Sequence, residues 1–547
     1  MNRRALLLSV GAVAACGSSQ TRTPALDIAA PTTIVDAHTH VFNATDLSVQ
    51  EFISVVVFKN YNQENLPPEC RDGKPQGRAL GGLLKSTLQG IAPSARVESA
   101  RIDRGAQDGP PDPEEDVFED EERQNAADEA ARNGYKDALA NRLEAMDRAT
   151  SGHDGNTPAR LLLSDIDIAA GGSGLDGRPL SQRQKMDRIV REEAPTDIGR
   201  YLDWGFWLSR SRSRIIKRFK SVYQRQSVSH FVGLMVDYEH WLGEAPHERS
   251  TTEDQITVMH KLRTRLHPGL QSFAPFDPLR EALEGVRRPA QPTSLDRLKE
   301  HWRQQRIQGV KIYPPMGFRP TDNVGLEREH PGSGSPFPTH VVEQWNRARG
   351  ADARTLGRAL DDAMLAFFTW AATEQVPITT HSGNSVDAGC RFAERGHPAQ
   401  WAKVFASPSE GGLGLANLRL CLGHFDSVSD FLNKPGESWG RLKGPLLRYP
   451  NVYVDLSFME EFVSEDADQA AQVRRFFTAL RDYARTSGDP DFRKLLYGSD
   501  WIMFERIPNR ERYFDNIARG FSQAAIPADA LRNFSSENAK RFLRLSA

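Results

Sequence analysis

Short apolar runs, separated by amphipathic or polar stretches, recur along the chain from residue 231 to the end. This alternation is typical of βα units that build a parallel sheet. One earlier run, near the start of the chain, has the same character. The pattern therefore predicts eight strands, at 33–42, 231–237, 271–276, 309–313, 377–381, 418–424, 452–456 and 494–500.

Eight successive βα units close a barrel whose active site lies at the carboxyl ends of its strands. We therefore predict an α/β fold, namely a (β/α)8 TIM barrel over residues 33–547. Residues 43–230 lack the strand rhythm, and we interpret them as a large, mainly helical insertion after the first strand. A lid, an interface between copies in a homo-oligomer and a membrane-facing lobe are the roles considered for this insertion.

The insertion also carries two opposed charge runs. Residues 112–122 hold eight carboxylates beside several prolines, a composition typical of a solvated loop. We predict a helix at 122–146 and an amphipathic helix at 204–223, whereas 161–168 fits either a strand or a helix. The second helix ends in a strongly basic stretch, which is either a solvated face or a contact with anionic lipid or with the acidic run.

The amino-terminal residues resemble a secretory signal. Arg3 and Arg4 precede an apolar stretch at 5–15 that is too short to span a membrane permanently. Small residues then lead into Cys16, as in a lipoprotein signal. We predict a signal peptide at 1–15, lipidation of Cys16 and a tether at 16–32.

An ordinary signal with an incidental cysteine is the alternative, and the choice between general secretion and twin-arginine export stays open. The lipoprotein prediction implies an exported protein in the bacterial periplasm or cell envelope, held to the membrane by its lipid anchor.

Composition argues against one class of partner and one class of scaffold. The 547 residues carry a formal net charge of −2, which argues against a nucleic-acid partner and leaves a small-molecule substrate. The four cysteines include no C-x-x-C pair and are too few for a disulfide scaffold. We interpret Cys390 and Cys421 as reduced packing residues, and Cys70 has no evident partner.

Polar residues of matching chemistry stand at the ends of several predicted strands. His38 and His40 share one face of the first strand because side chains alternate along it. Each polar strand end has an ordinary structural alternative, such as a packed histidine or a helix cap. Together, imidazoles and a carboxylate at one barrel mouth suit zinc with an open position for water. The further strand-end residues are Lys311, His381, His424 and Asp500.

These motifs resemble the amidohydrolase superfamily, specifically its amidohydrolase-related branch of metal-dependent lactonases and decarboxylases. The resemblance rests on residues 35–40, 274–278, 309–315 and 498–501 and on the two later histidines. It implies a divalent metal, usually zinc, held by His38, His40, His381 and Asp500.

The chemistry of the site and the resemblance together predict roles for three residues around the metal. Asp500 would also move a proton between water and the leaving group. His424 would be either a catalytic residue or a ligand of a second metal. Lys311 would either be carboxylated and bridge two ions or bind a substrate carboxylate, so that the site holds one ion or two.

Residues just beyond the strand ends are candidates for the substrate pocket. Arg319 has the planar fork that holds an anionic group. Tyr313, Asn384 and Trp501 are the other candidates, and loop or helix-cap roles are the alternative for each.

The leading hypothesis is a metal-dependent hydrolase that cleaves a C–O or C–N bond of a lactone, ester or amide with metal-activated water. The runner-up is a metal-dependent, non-oxidative decarboxylase of a small carboxylic acid. A non-catalytic exported binding protein on the same barrel is the third hypothesis, against which the complete set of site residues argues.

Overall fold

A computed structural model describes the protein over residues 33–61, 70–71, 73–105, 121–152, 156–171, 178–191, 194, 196–243, 250–329, 335–384 and 387–545. The predicted signal peptide, the tether, Cys16 and most of the acidic run lie outside the described residues. Among the helices that are described, none has the length and apolar character to cross a membrane.

Eight parallel strands form one sheet whose order follows the chain. The ring is completed where the last strand meets the first, through a bridge between Thr39 and Trp501 and a hydrogen bond from Asp500 N to His38 O at 2.7 Å. The predicted TIM barrel is confirmed. The strands are β1 Ile34–His40, β2 Val228–Leu234, β3 Leu270–Pro275, β4 Gly309–Ile312, β5 Ile378–His381, β6 Leu420–Gly423, β7 Val452–Leu456 and β8 Leu495–Tyr497.

Side chains alternate between the two faces of each strand, and those on one face line the interior of the barrel. A separate apolar cluster takes Val35 and Ala37 from β1 and Val232 and Leu234 from β2, each pair two residues apart on one face. Further members come from β3, β6, β7 and β8 and from the last helix of the chain. A larger cluster packs the outer faces of the strands against the surrounding helices.

The segment between β1 and β2 is helical, as predicted. Residues 161–168 lie in a helix. The helix predicted at 204–223 is two helices, because Ser211 Oγ accepts a hydrogen bond from Arg214 N and caps the second one. The helices are α1 Val49–Glu51, α2 Gln76–Leu88, α3 Ala95–Gly105, α4 Glu121–Thr150, α5 Pro158–Ala170, α6 Gln182–Ile189, α7 Asp197–Leu208 and α8 Arg212–Val222.

Helices also follow the remaining strands and form the outer layer of the barrel, with further short 3₁₀ and π turns between them. They are α9 Glu239–Leu242, α10 Thr252–Lys261, α11 Pro278–Arg287, α12 Ser294–Arg303, α13 Asn323–Arg328, α14 Thr339–Ala348, α15 Leu356–Glu374, α16 Pro398–Phe405, α17 Val428–Asn433, α18 Trp439–Lys443, α19 Ala467–Thr486, α20 Tyr513–Gln523, α21 Ala528–Arg532 and α22 Asn538–Leu543.

The basic stretch of α8 is buried at its start, whereas Lys220 near its end is exposed. Arg212 is fully buried and donates to Asp46 and to Glu98, the latter at 2.9 Å. Arg218 pairs with Glu505 of the loop after β8 at 3.0 Å. Arg212 thus joins elements within the insertion, and Arg218 joins the insertion to the barrel. A buried guanidinium needs carboxylate partners in place of water.

Two of the cysteine predictions were wrong. Cys70 in the insertion and Cys390 in the loop after β5 form a disulfide, with their Cα atoms 5.6 Å apart. The pairing spans 320 residues and depends on how the insertion folds back onto the barrel. Cys421 is free and buried, as predicted.

The insertion therefore packs on loops at the carboxyl ends of the strands. The hydroxyl of Tyr61 donates to Asp387 beside the disulfide, after β5. Trp204 Nε1 donates to Ile502 O at 3.1 Å, after β8. The three roles considered for the insertion stay predictions.

Candidate metal centre and active site

Two histidines of β1 converge on the carboxylate that follows β8. His38 Nε2 lies 3.6 Å and His40 Nε2 lies 3.4 Å from Asp500 Oδ1. These distances exceed those of charge-assisted hydrogen bonds. Asp500 Oδ1 is buried and has no hydrogen-bond donor among the described residues. A buried carboxylate oxygen without a donor, faced by two imidazole nitrogens, fits a bound cation.

Outer hydrogen bonds orient both imidazoles. His38 Nδ1 contacts Asp455 Oδ2 at 2.8 Å, and His40 Nδ1 contacts the carbonyl oxygen of Leu234 at 3.1 Å. Because a carbonyl or ionised carboxylate accepts hydrogen bonds, each Nδ1 carries the proton and each Nε2 keeps its lone pair. This arrangement is typical of metal-binding histidines.

His424, directly after β6, joins the same cluster. His38, His424 and Asp500 each offer one ligand atom, and the three atoms lie within 4.8 Å of one another. Both His424 (φ +62°) and Asp500 (φ +58°) adopt the left-handed backbone conformation, which non-glycine residues rarely take. Such conformations concentrate at functional sites, where the surrounding structure holds them.

His381 completes the group of histidines. Its ring centroid lies 4.4 Å from that of His424 and 4.5 Å from that of Tyr313. Burial, together with neighbouring cations, holds the pKa of His381 well below its usual range and lowers the pKa of His424 to about 3. Both rings are therefore neutral at pH 7, and neutral imidazole is the form that binds metals.

Lys311 on β4 reaches the same centre. Its Nζ lies 3.3 Å from His38 Nε2, and its side chain is almost completely buried. Burial lowers the pKa of Lys311 to about 8, which increases the fraction of neutral amine. A neutral amine is the form that reacts with carbon dioxide. Carboxylation of Lys311 and binding of a substrate carboxylate by Lys311 both stay predictions.

Two functional residues were missed by the sequence analysis. Asp455 on β7 accepts hydrogen bonds from His38 Nδ1 and from His424 N, each at 2.8 Å. Ser457 Oγ lies 3.0 Å from His424 Nδ1. Burial alone would raise the pKa of Asp455, but its electrostatic interaction and hydrogen bond with His38 hold that pKa well below its usual range. The sequence signal that could have identified Asp455 is a carboxylate within the otherwise apolar strand 452–456.

The substrate-binding candidates Tyr313, Arg319 and Asn384 lie in different surroundings. Tyr313 stands beside His381, as a pocket residue should. Arg319 donates to both carboxylate oxygens of Glu329, at 2.8 and 2.6 Å. No described contact joins Arg319 to the histidines around Asp500. Asn384 is exposed at the end of a described segment. Their roles in substrate binding stay predictions.

Trp501 occupies the seam between the barrel and the insertion. Its side chain is fully buried, and its ring packs 5.8 Å from that of Phe219 and 6.2 Å from that of Tyr223, measured between centroids. A ring without exposed surface contacts protein and not an open pocket, so the structure does not bring Trp501 to the predicted substrate site.

The family described as amidohydrolase matches residues 282–545. No curated protein matches the chain.

Among solved structures, an amidohydrolase from Burkholderia multivorans with bound zinc is 14% identical, with 60% of this chain and 88% of that chain covered and a TM-score of 0.35. A putative 2-pyrone-4,6-dicarboxylic acid hydrolase from Pseudomonas putida is 13% identical, with 61% and 88% covered and a TM-score of 0.33. A 5-carboxyvanillate decarboxylase from Novosphingobium aromaticivorans with bound manganese is 9% identical, with 71% and 94% covered and a TM-score of 0.34.

The matched residues contain four of the polar strand ends, Lys311, His381, His424 and Asp500, and the closed barrel brings His38 and His40 beside them. Residues 282–545 of the chain match the amidohydrolase family.

Proposed function

We propose that the protein is a metal-dependent hydrolase that cleaves a C–O or C–N bond in a lactone, ester or amide. The observation that carries this proposal is the convergence of His38 Nε2 and His40 Nε2 on the unpartnered Oδ1 of Asp500. Buried acceptors without donors are rare in folded proteins, and a divalent cation would satisfy all three atoms.

Each residue of the centre has a role in this proposal. His38, His40, His381 and Asp500 would hold the ion, which would polarise the substrate carbonyl and lower the pKa of water. Asp500 would take a proton from the attacking water and return it to the leaving group. Burial opposes ionisation of Asp500, but its electrostatic interactions with His40 and the other neighbouring histidines keep its pKa below the usual range. Asp500 is therefore an ionised base at neutral pH.

The test is turnover of a panel of lactones, esters and amides by protein loaded with zinc or manganese. Ring opening or ester cleavage that disappears in Asp500→Asn supports the hydrolase. Asp529→Asn is the matched control, because Asp529 is a surface residue paired with Arg532 at 2.7 Å, and it should retain wild-type rates. Wild-type turnover by an Asp500→Asn protein that binds metal normally would contradict the assignment.

The decarboxylase is the second candidate, because the same residues could orient a carboxylic acid while an acid delivers a proton to carbon. A parallel panel of small aromatic and unsaturated carboxylic acids distinguishes the two reactions: release of carbon dioxide without ring opening would assign the decarboxylase. Absence of both reactions in metal-loaded protein would favour the non-catalytic binding protein.

We further propose zinc as the ion, with the number of ions decided by Lys311. Elemental analysis measures the zinc content per chain, and intact mass on the same sample shows whether Lys311 is carboxylated. Two zinc ions per chain together with a carboxylated Lys311 would support the bridging role, whereas one ion with an unmodified lysine would leave Lys311 to bind a substrate carboxylate.

We also propose that the mature protein is exported and anchored through a lipid on Cys16. The disulfide between Cys70 and Cys390 supports export, since such bonds persist in oxidising compartments. In cells that express the full chain, wild-type protein should partition with membranes and Cys16→Ser should be soluble. A Cys16→Ser protein that still partitions with membranes would contradict the anchor.

A further inference from the structure

His424 has two ring nitrogens, and the position of its proton decides what the ring can do. The nitrogen without a proton can bind a cation or accept a proton, and the other can donate. Nδ1 of His424 faces two oxygen atoms of the same residue: the backbone oxygen of Ser457 at 3.4 Å and its Oγ at 3.0 Å. The carbonyl oxygen can accept a hydrogen bond but cannot donate one.

The hydroxyl proton of Ser457 has a different partner. Ser457 Oγ lies 2.5 Å from Asp455 Oδ1, and an ionised carboxylate accepts hydrogen bonds. The hydroxyl therefore donates to Asp455 and turns its lone pairs toward His424 Nδ1. The other oxygen, Asp455 Oδ2, takes the hydrogen bond of His38 Nδ1 at 2.8 Å.

Burial fixes which groups donate and which accept in the hydrogen bonds that link His38, Asp455, Ser457 and His424. Asp455 is completely buried and Ser457 is 2% exposed, so bulk water does not compete for either group. Asp455 is in turn held by the backbone N–H groups of Ser457 at 3.3 Å and of His424 at 2.8 Å. These donors keep the carboxylate in place and leave it no proton to give to Ser457.

We infer that Ser457, oriented by Asp455, is a positioning residue that keeps the proton of His424 on Nδ1 and leaves Nε2 free. Only the use of Nε2, as a metal ligand or as a base, rests on the proposed function. The tautomer itself is a property of the chain and exists whether or not a reaction takes place. The same carboxylate thus sets the protonated nitrogen of His38 directly and that of His424 through the serine hydroxyl.

The test is solid-state ¹⁵N NMR of the metal-free full chain, labelled at histidine ring nitrogens. Signals of His424 are identified by their loss in His424→Gln. In the wild type we expect a protonated Nδ1 and an unprotonated Nε2. In Ser457→Ala, the ratio of the Nδ1–H to the Nε2–H tautomer should fall about five- to tenfold, because the hydroxyl acceptor is lost.

Two further variants separate this role from a general effect on folding. Ser457→Thr retains the hydroxyl and should keep the wild-type tautomer. Ser272→Ala removes another fully buried serine of the barrel, whose Oγ has no described partner, and should leave His424 unchanged. A wild-type His424 protonated at Nε2, or an unchanged tautomer ratio in Ser457→Ala, would overturn the inference. Because no metal or substrate is used, failure of the proposed function would leave this result intact.

Discussion

Asp455 on β7 accepts a hydrogen bond from Nδ1 of His38 on β1 at 2.8 Å, although β8 lies between these two strands. The pair crosses the interior of the barrel mouth, and both residues are completely buried. A carboxylate behind a histidine fixes the direction of its Nε2 and raises its basicity. The site thus depends on a residue that contributes no ligand atom of its own.

We expect Asp455→Asn to weaken zinc binding by about 10- to 100-fold, as loss of such outer hydrogen bonds typically does. Competition with a chromogenic chelator measures the affinity. Asp361→Asn is the matched control, because Asp361 also accepts backbone hydrogen bonds, here from Asn323 N at 2.9 Å and Val324 N at 3.1 Å. Equal zinc affinity of Asp455→Asn and the wild type would contradict the positioning role of Asp455.

Gly423 at the end of β6 leaves room for His38. A Cβ atom added there would stand 2.7 Å from Thr380 O and 2.9 Å from His38 Cε1. We therefore expect Gly423→Ala to displace His38 and to cost about 1–3 kcal/mol of unfolding free energy, as overpacking does.

Zinc affinity and chemical denaturation of Gly423→Ala provide the check, and zinc binding should fall together with stability. In Gly436→Ala the added Cβ meets no atom within 4 Å, so that variant should behave as the wild type. Unchanged zinc affinity in Gly423→Ala would show that the His38 ring is not confined by this glycine.

Arg212 is a buried cation within the insertion, where it joins α8 to the turn after β1 and to α3. Replacement by Met would leave Asp46 and Glu98 buried without a counter-charge, and we expect a loss of about 3–5 kcal/mol in the free energy of unfolding. Urea denaturation followed by circular dichroism measures it. Arg148→Met is the control, since Arg148 and its partner Glu144, 3.9 Å away, are exposed, and the change should stay below about 0.5 kcal/mol. A similar small effect for Arg212→Met would show that Arg212 does not hold these elements of the insertion together.

The Cys70–Cys390 disulfide fastens the insertion to the loop after β5. We expect the Cys70→Ser, Cys390→Ser double variant to lose about 2–4 kcal/mol of stability, because the unfolded chain is no longer cross-linked. Thermal unfolding with and without reductant is the measurement. Reductant should lower the melting temperature of the wild type and of Cys421→Ser, which keeps the bond. A response of the double variant to reductant would mean that another thiol accounts for the effect.

The barrel and most of its centre could be predicted because their signals are local. Alternating apolar residues define the strands, and a TIM barrel collects all strand ends at one mouth. His38, His40, Lys311, His381 and Asp500 stand at such ends, so their meeting follows from topology without knowledge of any single contact.

Other features depend on contacts that no local pattern encodes. The partner of His38 is 417 residues away, and Cys70 meets Cys390 because the insertion folds back over the carboxyl ends of the strands. Arg212 lies in a basic run typical of a solvated helix, yet it is buried because Asp46 and Glu98 reach it from other elements. The sequence by itself determined the barrel and the residues that line its mouth. Only the tertiary structure decided which side chains support them, because hydrogen bonds and ion pairs between distant residues form where folding brings their atoms together.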